Sequence, residues 1–333
     1  MDNRLFFSVI MPAYNSAAFL SAAVDSVLVQ TDADFELILV DDGSTDETLS
    51  LFRAYAIVDA RVRVLHKENG GHTSARNAGL ACATGEYILF LDSDDSLAPD
   101  TLRLLREAIV SQNADIVVFG MQNRGAEKPF AVRVPDGCYD LRAPDCPLHE
   151  SLVRNRDGLF SFPKSLSAKC FRRDIVELAQ AAVPEGVLVG EDGAAFVGAM
   201  LLAERISVIA TDARARYFCL VREGSVSRTA DACALRRVRV LLTYYGEMLA
   251  THPALREQLL RDAVAHLYTA AVIALRAGIS RKTLSKDFQA VLTLPLARTA
   301  LARTRFSHRA WKLRIKRFLL RHRLWRLIEY IDR

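Results

Sequence analysis

Short apolar runs alternate with amphipathic stretches through the first third of the chain. The runs at 6–12, Phe35–Val40, Val62–His66, Tyr87–Leu91 and Asp115–Gly120 read as strands, most of them apolar throughout, as in a parallel sheet buried on both faces. Helical spacing fills the gaps between them. One helix runs from Ser16, which can cap it, to about Val29. A second opens at Ser44-Thr45-Asp46-Glu47, which has the pattern of a capping box. A third follows Gly70-Gly71 and passes through Ser74 to Gly79. A fourth starts at Pro99 and ends near Gln112. Strand–helix alternation predicts an α/β fold: a mostly parallel, Rossmann-like sheet with helices on both faces. Beyond Gly120 the pattern weakens. Residues 122–141 read as a loop or hairpin and 144–154 as a short helix. An apolar helix at Ala194–Ala203 follows, then strands at Ile206–Thr211 and Arg216–Val221. From residue 231 onward the chain is almost wholly helical, with helices expected at 231–250, 254–277, 281–292 and 307–331. The expected divisions are 1–121, 122–228 and 229–333.

Three of the strands end in polar clusters: Tyr14-Asn15, Asp41-Asp42 and Asp92-Ser93-Asp94-Asp95. The carboxyl ends of parallel strands share one edge of the sheet, so the clusters are expected to converge. Side chains alternate faces along a strand, so Asp92 and Asp94 are expected to point the same way. Like charges side by side repel, and a hard divalent cation offsets them. Magnesium and similar ions take one or two carboxylates and complete their shell with substrate phosphates and water. The stretch therefore predicts a metal–diphosphate site. A lone Asp-x-Asp reads better as an acidic loop capping the helix that starts near Pro99; three clusters on one edge favour the site.

Composition sets the outer limits. The chain has 333 residues, 51% of them apolar, enough for one large domain or two modest ones. No apolar run approaches the ~20 residues of a membrane-spanning helix, and the N-terminus lacks a signal-peptide pattern. Six cysteines are scattered without Cys-x-x-Cys spacing, which argues against zinc and fits a reducing cytoplasm. The net charge of +5 hides an asymmetry: from Ala297 to Arg333 there are twelve Lys and Arg against Glu329 and Asp332. The rest of the chain is slightly acidic.

Taken in order, Val9-Ile10-Met11-Pro12-Ala13-Tyr14-Asn15, Val40-Asp41-Asp42-Gly43-Ser44-Thr45-Asp46, Ser74-Ala75-Arg76-Asn77-Ala78-Gly79, Asp92-Ser93-Asp94 and Gly190-Glu191-Asp192 resemble a family 2 glycosyltransferase of the GT-A fold. The set is similar to bacterial enzymes that build surface polysaccharides and covers about residues 6–225. The resemblance implies a nucleotide-sugar donor, Mn2+ or Mg2+, and a glycan or lipid-linked acceptor. It implies a nucleotide pocket of Pro12, Tyr14, Asp42, Arg76, Asp92 and Ser93. Tyr14 would stack on the base. Asp42 would accept a pyrimidine imide N–H, with Asp41 as the alternative. Arg76 would lie near the phosphates, and His72 is a weaker candidate there. Asp92 would touch the ribose, Asp94 would hold the metal, and Asp95 would stand behind it. Asp192 would be the general base of an inverting displacement, with Glu191 as runner-up. Lys169, Arg222 and Ser225 would contact the diphosphate or acceptor.

The basic tail carries its own expectation. Residues 307–331 place Trp311, Ile315, Phe318, Leu319, Trp325 and Ile328 among cations, the pattern of an interfacial helix on anionic lipid. The alternative is a helix packed on the protein. No nucleic-acid reader motif accompanies the charge. The expected location is cytoplasmic, peripheral on the inner face of the membrane.

Other enzyme classes fit less well. A sugar nucleotidyltransferase needs a glycine-rich, lysine-bearing loop after the first strand. A dinucleotide dehydrogenase needs Gly-x-Gly-x-x-Gly there. A non-catalytic scaffold has no use for both Asp94 and Asp192. The Gln-x-x-Arg-Trp sequence of processive polymerases is missing, which favours transfer of one sugar or a few.

Overall fold

The computed structural model describes residues 6–184, 187, 190–221 and 230–332. The chain forms two compact units. Unit 1 comprises Met1–Cys146, Ser165–Ala182 and Gly198–Val221; unit 2 comprises Pro147–Lys164, Val183–Val197 and Arg222–Arg333.

Unit 1 holds all ten described strands: β1 (Phe7–Ala13), β2 (Phe35–Asp41), β3 (Val62–His66), β4 (Tyr87–Phe90), β5 (Ser96–Leu97), β6 (Ile116–Asn123), β7 (Gly137–Asp140), β8 (Lys169–Arg172), β9 (Arg205–Ile209) and β10 (Arg216–Cys219). They form one sheet in the order β3-β2-β1-β4-β8-β6-β10-β5, with β9 on β6 and β7 on β9. The first four in that order are parallel. β8 then runs antiparallel between β4 and β6, and β6 pairs parallel with β9 and β10. The mostly parallel sheet is as expected, while β8 is not legible in the sequence. Its four residues, Lys-Cys-Phe-Arg, are too few to show a period of two.

Helices cover both faces because side chains alternate along each strand. Phe7, Val9 and Met11 join Leu37, Leu39 and Leu89 in one core, against Leu20, Val24 and Val27 of α1 (Leu20–Leu28) and Leu102, Leu105 and Ile109 of α4 (Thr101–Gln112). On the other face, Ile10 and Val40 lie under α3 (Gly71–Cys82). A Cβ at Gly79 of that helix would fall 2.4 Å from Ile10 Cγ2, so this approach requires glycine. α2 (Thr48–Val58) and α5 (Arg173–Ala181) complete the unit.

Two expected caps are used differently. α1 begins at Leu20, and the Ser16 side chain does not cap it. α2 begins at Thr48 with no side-chain cap from Ser44; Asp46 Oδ1 accepts the Thr48 amide at 3.0 Å instead. Both serines turn toward neighbouring loops, as described below. The expected helix at 144–154 is only a short 3-10 turn at Pro147–Glu150.

Unit 2 is helical: α7 (Ala234–Thr251), α8 (Arg256–Arg276), α9 (Arg281–Val291), α10 (Pro295–Arg303), α11 (Trp311–Arg321) and α12 (Trp325–Ile331). α6 (Glu191–Leu202) starts in unit 2 and ends in unit 1. The spine of unit 2 is α8, which buries Leu259, Leu260, Ala263, Val264, Leu267, Ala270, Ala271 and Ala274. The expected single helix over 307–331 is two. Arg323, at φ 52°, takes the left-handed conformation, which stops α11 before α12. Half of the anticipated apolar stripe is packed: Leu319, Trp325 and Ile328 are buried, while Trp311, Ile315 and Phe318 are exposed. Among the described residues, no helix is long and apolar enough to cross a membrane. All six cysteines are free thiols.

Candidate active site

The site is built from hydrogen bonds between loops at one edge of the unit 1 sheet. β1 runs into this edge carrying a proline. Pro12 faces the β4 side of its strand, as Ile10 does, whose carbonyl accepts the Leu91 amide at 3.0 Å. β4 pairing stops at Ile10–Phe90, so the missing Pro12 N–H falls where no ladder partner remains. Tyr14 follows and is 52% exposed, so it does not pack beneath its loop. Asn15 is left-handed, with φ 49°, a conformation that asparagine tolerates better than most residues. The β2 loop holds it there. Asn15 N–H donates to Ser44 Oγ at 2.9 Å, and its Oδ1 accepts the Thr45 amide at 2.8 Å. This bond is what Ser44 makes in place of the cap.

The two carboxylates at the end of β2 are both buried, with different partners. Asp41 pairs with His66 Nδ1 at 2.7 Å. Asp42 is bound by Lys67 Nζ (2.7 Å) and by the amides of Gly70 (3.0 Å) and Gly71 (2.8 Å), at the opening of α3. A carboxylate has about four acceptor positions, so Asp42 keeps room for one more donor. Asp42 N–H in turn donates to the Ala13 carbonyl at 2.9 Å, fastening this loop to β1.

The Asp92–Asp95 stretch is a turn, not a continuation of the strand. β4 ends at Phe90, and Asp95 N–H closes on the Asp92 carbonyl at 3.0 Å. The expectation that Asp92 and Asp94 share a strand face is therefore corrected; the turn brings the carboxylates close by another route. Asp92 Oδ1 meets Arg76 Nη2 at 3.3 Å, and Oδ2 accepts from Ser167 Oγ at 3.3 Å and from Tyr217 OH at 3.4 Å. The Tyr217 hydroxyl also accepts the Asp92 amide at 3.0 Å. Ser93 Oγ donates to Ser16 Oγ at 2.8 Å, tying this turn to the β1 loop. Asp94 is half-buried in the middle of the turn. Asp95 is buried and accepts the Leu220 amide at 2.8 Å. Burial, with the charges of Asp92 and Asp94, pushes its carboxyl up to about 7.

That crowding fits a cation. The donors are all carboxylate oxygens, the ligand type of magnesium and manganese, and a positive ion beside them would offset the burial and the like charges that raise Asp95. Among the described residues no group of three or more His, Cys, Asp or Glu is placed to hold a metal ion. A cation here would take one or two carboxylates and complete its shell from outside the protein.

The remaining expected residues divide between this edge and other parts of the fold. Arg76 is buried against Asp92 and 5.8 Å from the Phe90 ring centre, not on the helix surface. His72 is exposed. Lys169 is wholly buried on β8, its ammonium donating to the Ser167 carbonyl at 3.3 Å, so it braces the loop that reaches Asp92. Glu191 and Asp192 form the first turn of α6 and belong to unit 2. Arg222 and Ser225 lie outside the described residues.

The segment 8–172, which contains these loops, matches the family model described as Glycosyl transferase family 2. The chain belongs to that family. This glycosyltransferase is 29% identical over 331 residues to EpsJ of Bacillus subtilis (strain 168), an uncharacterized glycosyltransferase, with 96% of this chain and 92% of EpsJ covered. It is 30% identical over 224 residues to TarS of Staphylococcus aureus (strain MW2), a poly(ribitol-phosphate) beta-N-acetylglucosaminyltransferase, spanning 66% of this chain and only 36% of TarS. The crystal structure of S. aureus TarS in complex with UDP-GlcNAc shares the GT-A-like fold. Its TM-score is 0.65 at 23% identity, with 98% of this chain and 90% of that chain covered. The mannosyltransferase PcManGT from Pyrobaculum calidifontis, in complex with GDP-Man and Mn2+, gives a TM-score of 0.54 at 18% identity, with 99% and 84% covered.

The candidate site includes residues that the sequence reading did not place there: Ser16, read only as a helix cap, and Lys67, Ser167 and Tyr217. Tyr217 lies 125 positions from Asp92, inside a run already read as strand. Nothing local marks its hydroxyl as the partner of a distant turn.

Proposed function

We propose that this glycosyltransferase moves a sugar from a UDP-sugar to a hydroxyl of a glycan or lipid-linked acceptor in surface-polymer synthesis, inverting the anomeric centre with the help of a divalent cation. The observation that carries the reading is the bonded ring of loops: Asn15 to Ser44, Asp42 to Gly70 and Gly71, Ser93 to Ser16, and Arg76 to Asp92. It sets an exposed aromatic ring, a buried carboxylate and an acidic turn on one sheet edge, the place where open α/β sheets bind ligands. The donors named for TarS support uridine, and the Mn2+ named for PcManGT supports the cation.

In this reading Tyr14 stacks on uracil and Asp42 takes its imide N–H. Asp92 receives the ribose hydroxyls, pre-set by Arg76, Ser167 and Tyr217. Asp94, with Asp95 behind it, would hold a divalent cation, which would supply positive charge against the departing diphosphate. The acceptor oxygen bonds to the anomeric carbon as the bond from that carbon to the diphosphate oxygen breaks. The electron pair leaves with UDP, and the hydroxyl proton passes to Asp192. A thermal-shift and turnover screen of UDP-, GDP- and dTDP-sugars with manganese tests the donor. UDP-sugars are expected to give the largest shift and the only turnover; a preference for GDP would overturn the uridine assignment, but not by itself the acceptor role of Asp42, because guanine also offers a ring N–H to a carboxylate.

The exposed face of α11 supports contact with the inner membrane surface. Trp311, Ile315 and Phe318 project beside Lys312, Arg314 and Arg321, an apolar strip flanked by cations. Each cation near an anionic bilayer contributes ~1 kcal/mol. The full chain is expected to co-sediment with phosphatidylglycerol vesicles and not with phosphatidylcholine vesicles. Trp311→Ser with Phe318→Ser should cut that binding at least about tenfold. Equal binding to both vesicle types, or to neither, would remove the membrane from the reading.

A further inference from the structure

α8 is an apolar helix with one wholly buried acid, Asp262. Four side chains close on it. Arg154 Nε lies 3.2 Å from Oδ1, Lys164 forms an ion pair with Oδ2, Tyr245 OH donates to Oδ2 at 2.8 Å, and His266 Nε2 is 3.2 Å from Oδ2. Burial alone would raise the Asp262 carboxyl; Lys164, His266 and Arg154 outweigh it and hold the group well below the carboxylate range. Burial draws Lys164 down to about 8 against the pull of Asp262. A buried ion cluster of this kind is weak support for stability, since well-packed apolar residues often serve as well. Its use has to be sought in what it touches.

It touches the turn that opens α6. Gly190 is at φ +91°, and a Cβ there would fall 2.5 Å from His266 Cε1 and 3.0 Å from Leu241 Cδ2. A Cβ at Gly193 would fall 3.3 Å from Lys164 Cδ. The turn thus has glycine at both ends, where it rests on two partners of Asp262, and carries Glu191 and Asp192 between them. Ala194 N–H donates to the Gly190 carbonyl at 2.9 Å, so displacing Gly190 displaces the first turn of the helix.

We infer that Asp262 is a positioning residue for sugar transfer: through Lys164 and His266 it fixes the seat of the Gly190–Gly193 turn, and with it the place of Asp192. This rests on Asp192 being the base. Small displacements of a reacting group cost rate steeply, about a hundredfold per ångström. The test uses the full chain with the sugar nucleotide that turns over in the screen, and UDP with manganese as the binding probe. Two variants are needed: Asp262→Asn, and the milder Lys164→Met, which leaves Asp262 paired with Arg154 and His266. Expected is a fall in kcat of roughly tenfold or more per folded molecule, with donor KM and UDP affinity within about twofold of wild type and Lys164→Arg restoring most of the rate. A lower melting temperature with unchanged kcat, or equal loss of kcat and UDP binding, would overturn the inference, and Lys164→Met reads out even if Asp262→Asn does not fold. Asp192→Asn run in parallel separates the two failures. If it keeps transfer, the base assignment is wrong; if it loses transfer while the Asp262 and Lys164 variants keep kcat, only the positioning role is.

Discussion

Asp192→Asn is expected to bind UDP-sugar and manganese as the wild type does and to lose transfer by about two to four orders of magnitude. An acceptor hydroxyl is a poor nucleophile until its proton has somewhere to go. Asn is nearly isosteric with Asp but takes no proton, so the change removes the basic function and little else. Asp192 stands in the first turn of α6. Calorimetric titration with UDP and manganese, beside steady-state transfer rates, separates binding from chemistry. Matched loss of both would show that Asp192 holds the donor and is not the base. Glu191→Gln is the control. If it shows the larger rate loss, the base is the neighbouring residue.

Asp94→Asn is expected to lower kcat/KM by about two to three orders of magnitude, the range for removing one preorganised electrostatic contact to a developing charge. Its effect should fall on metal use. The manganese concentration for half-maximal rate should rise sharply, and UDP should lose most of its manganese-dependent gain in affinity. Asp95 is the comparison, since it lies deeper, bound to the Leu220 amide. Asp95→Asn should therefore shift manganese dependence less than Asp94→Asn. An Asp94→Asn enzyme with wild-type manganese dependence would mean that the acidic turn serves the sugar or the fold, not a cation.

The architecture of the first 120 residues could be read from local pattern. β1 and β2 are buried along their whole length, so their apolar runs stood out; α1 and α3 sit where the spacing put them, apart from their first residues. The loops of the candidate site were legible for a related reason. Strand ends on a parallel sheet share an edge, so Tyr14, Asp42 and Asp92 could be expected together before any coordinate was known. Local caps were the weak point. Ser16 and Ser44 have the right chemistry and position for capping, but each found a partner across the edge, Ser93 and Asn15 respectively. A hydroxyl near a helix start carries no record of which offer it takes. The tail misled in the opposite way. Its apolar positions keep helical spacing throughout, and one left-handed residue, Arg323, splits the stripe into packed and exposed parts.

The amino-acid sequence by itself determined the fold class, the family, the acidic cluster after β4 and the glycine-flanked Glu191-Asp192 pair, because each is written in adjacent residues or in a short period. Only the tertiary structure decided that β8 enters antiparallel between β4 and β6, that Tyr217 and Ser167 hold Asp92, and that Asp262 gathers Arg154, Lys164, Tyr245 and His266 beneath the α6 turn. Most of these contacts join residues tens of positions or more apart. A side chain's own neighbours in the chain fix its chemistry, but its partners are fixed by which distant segments the burial of apolar surface brings alongside it.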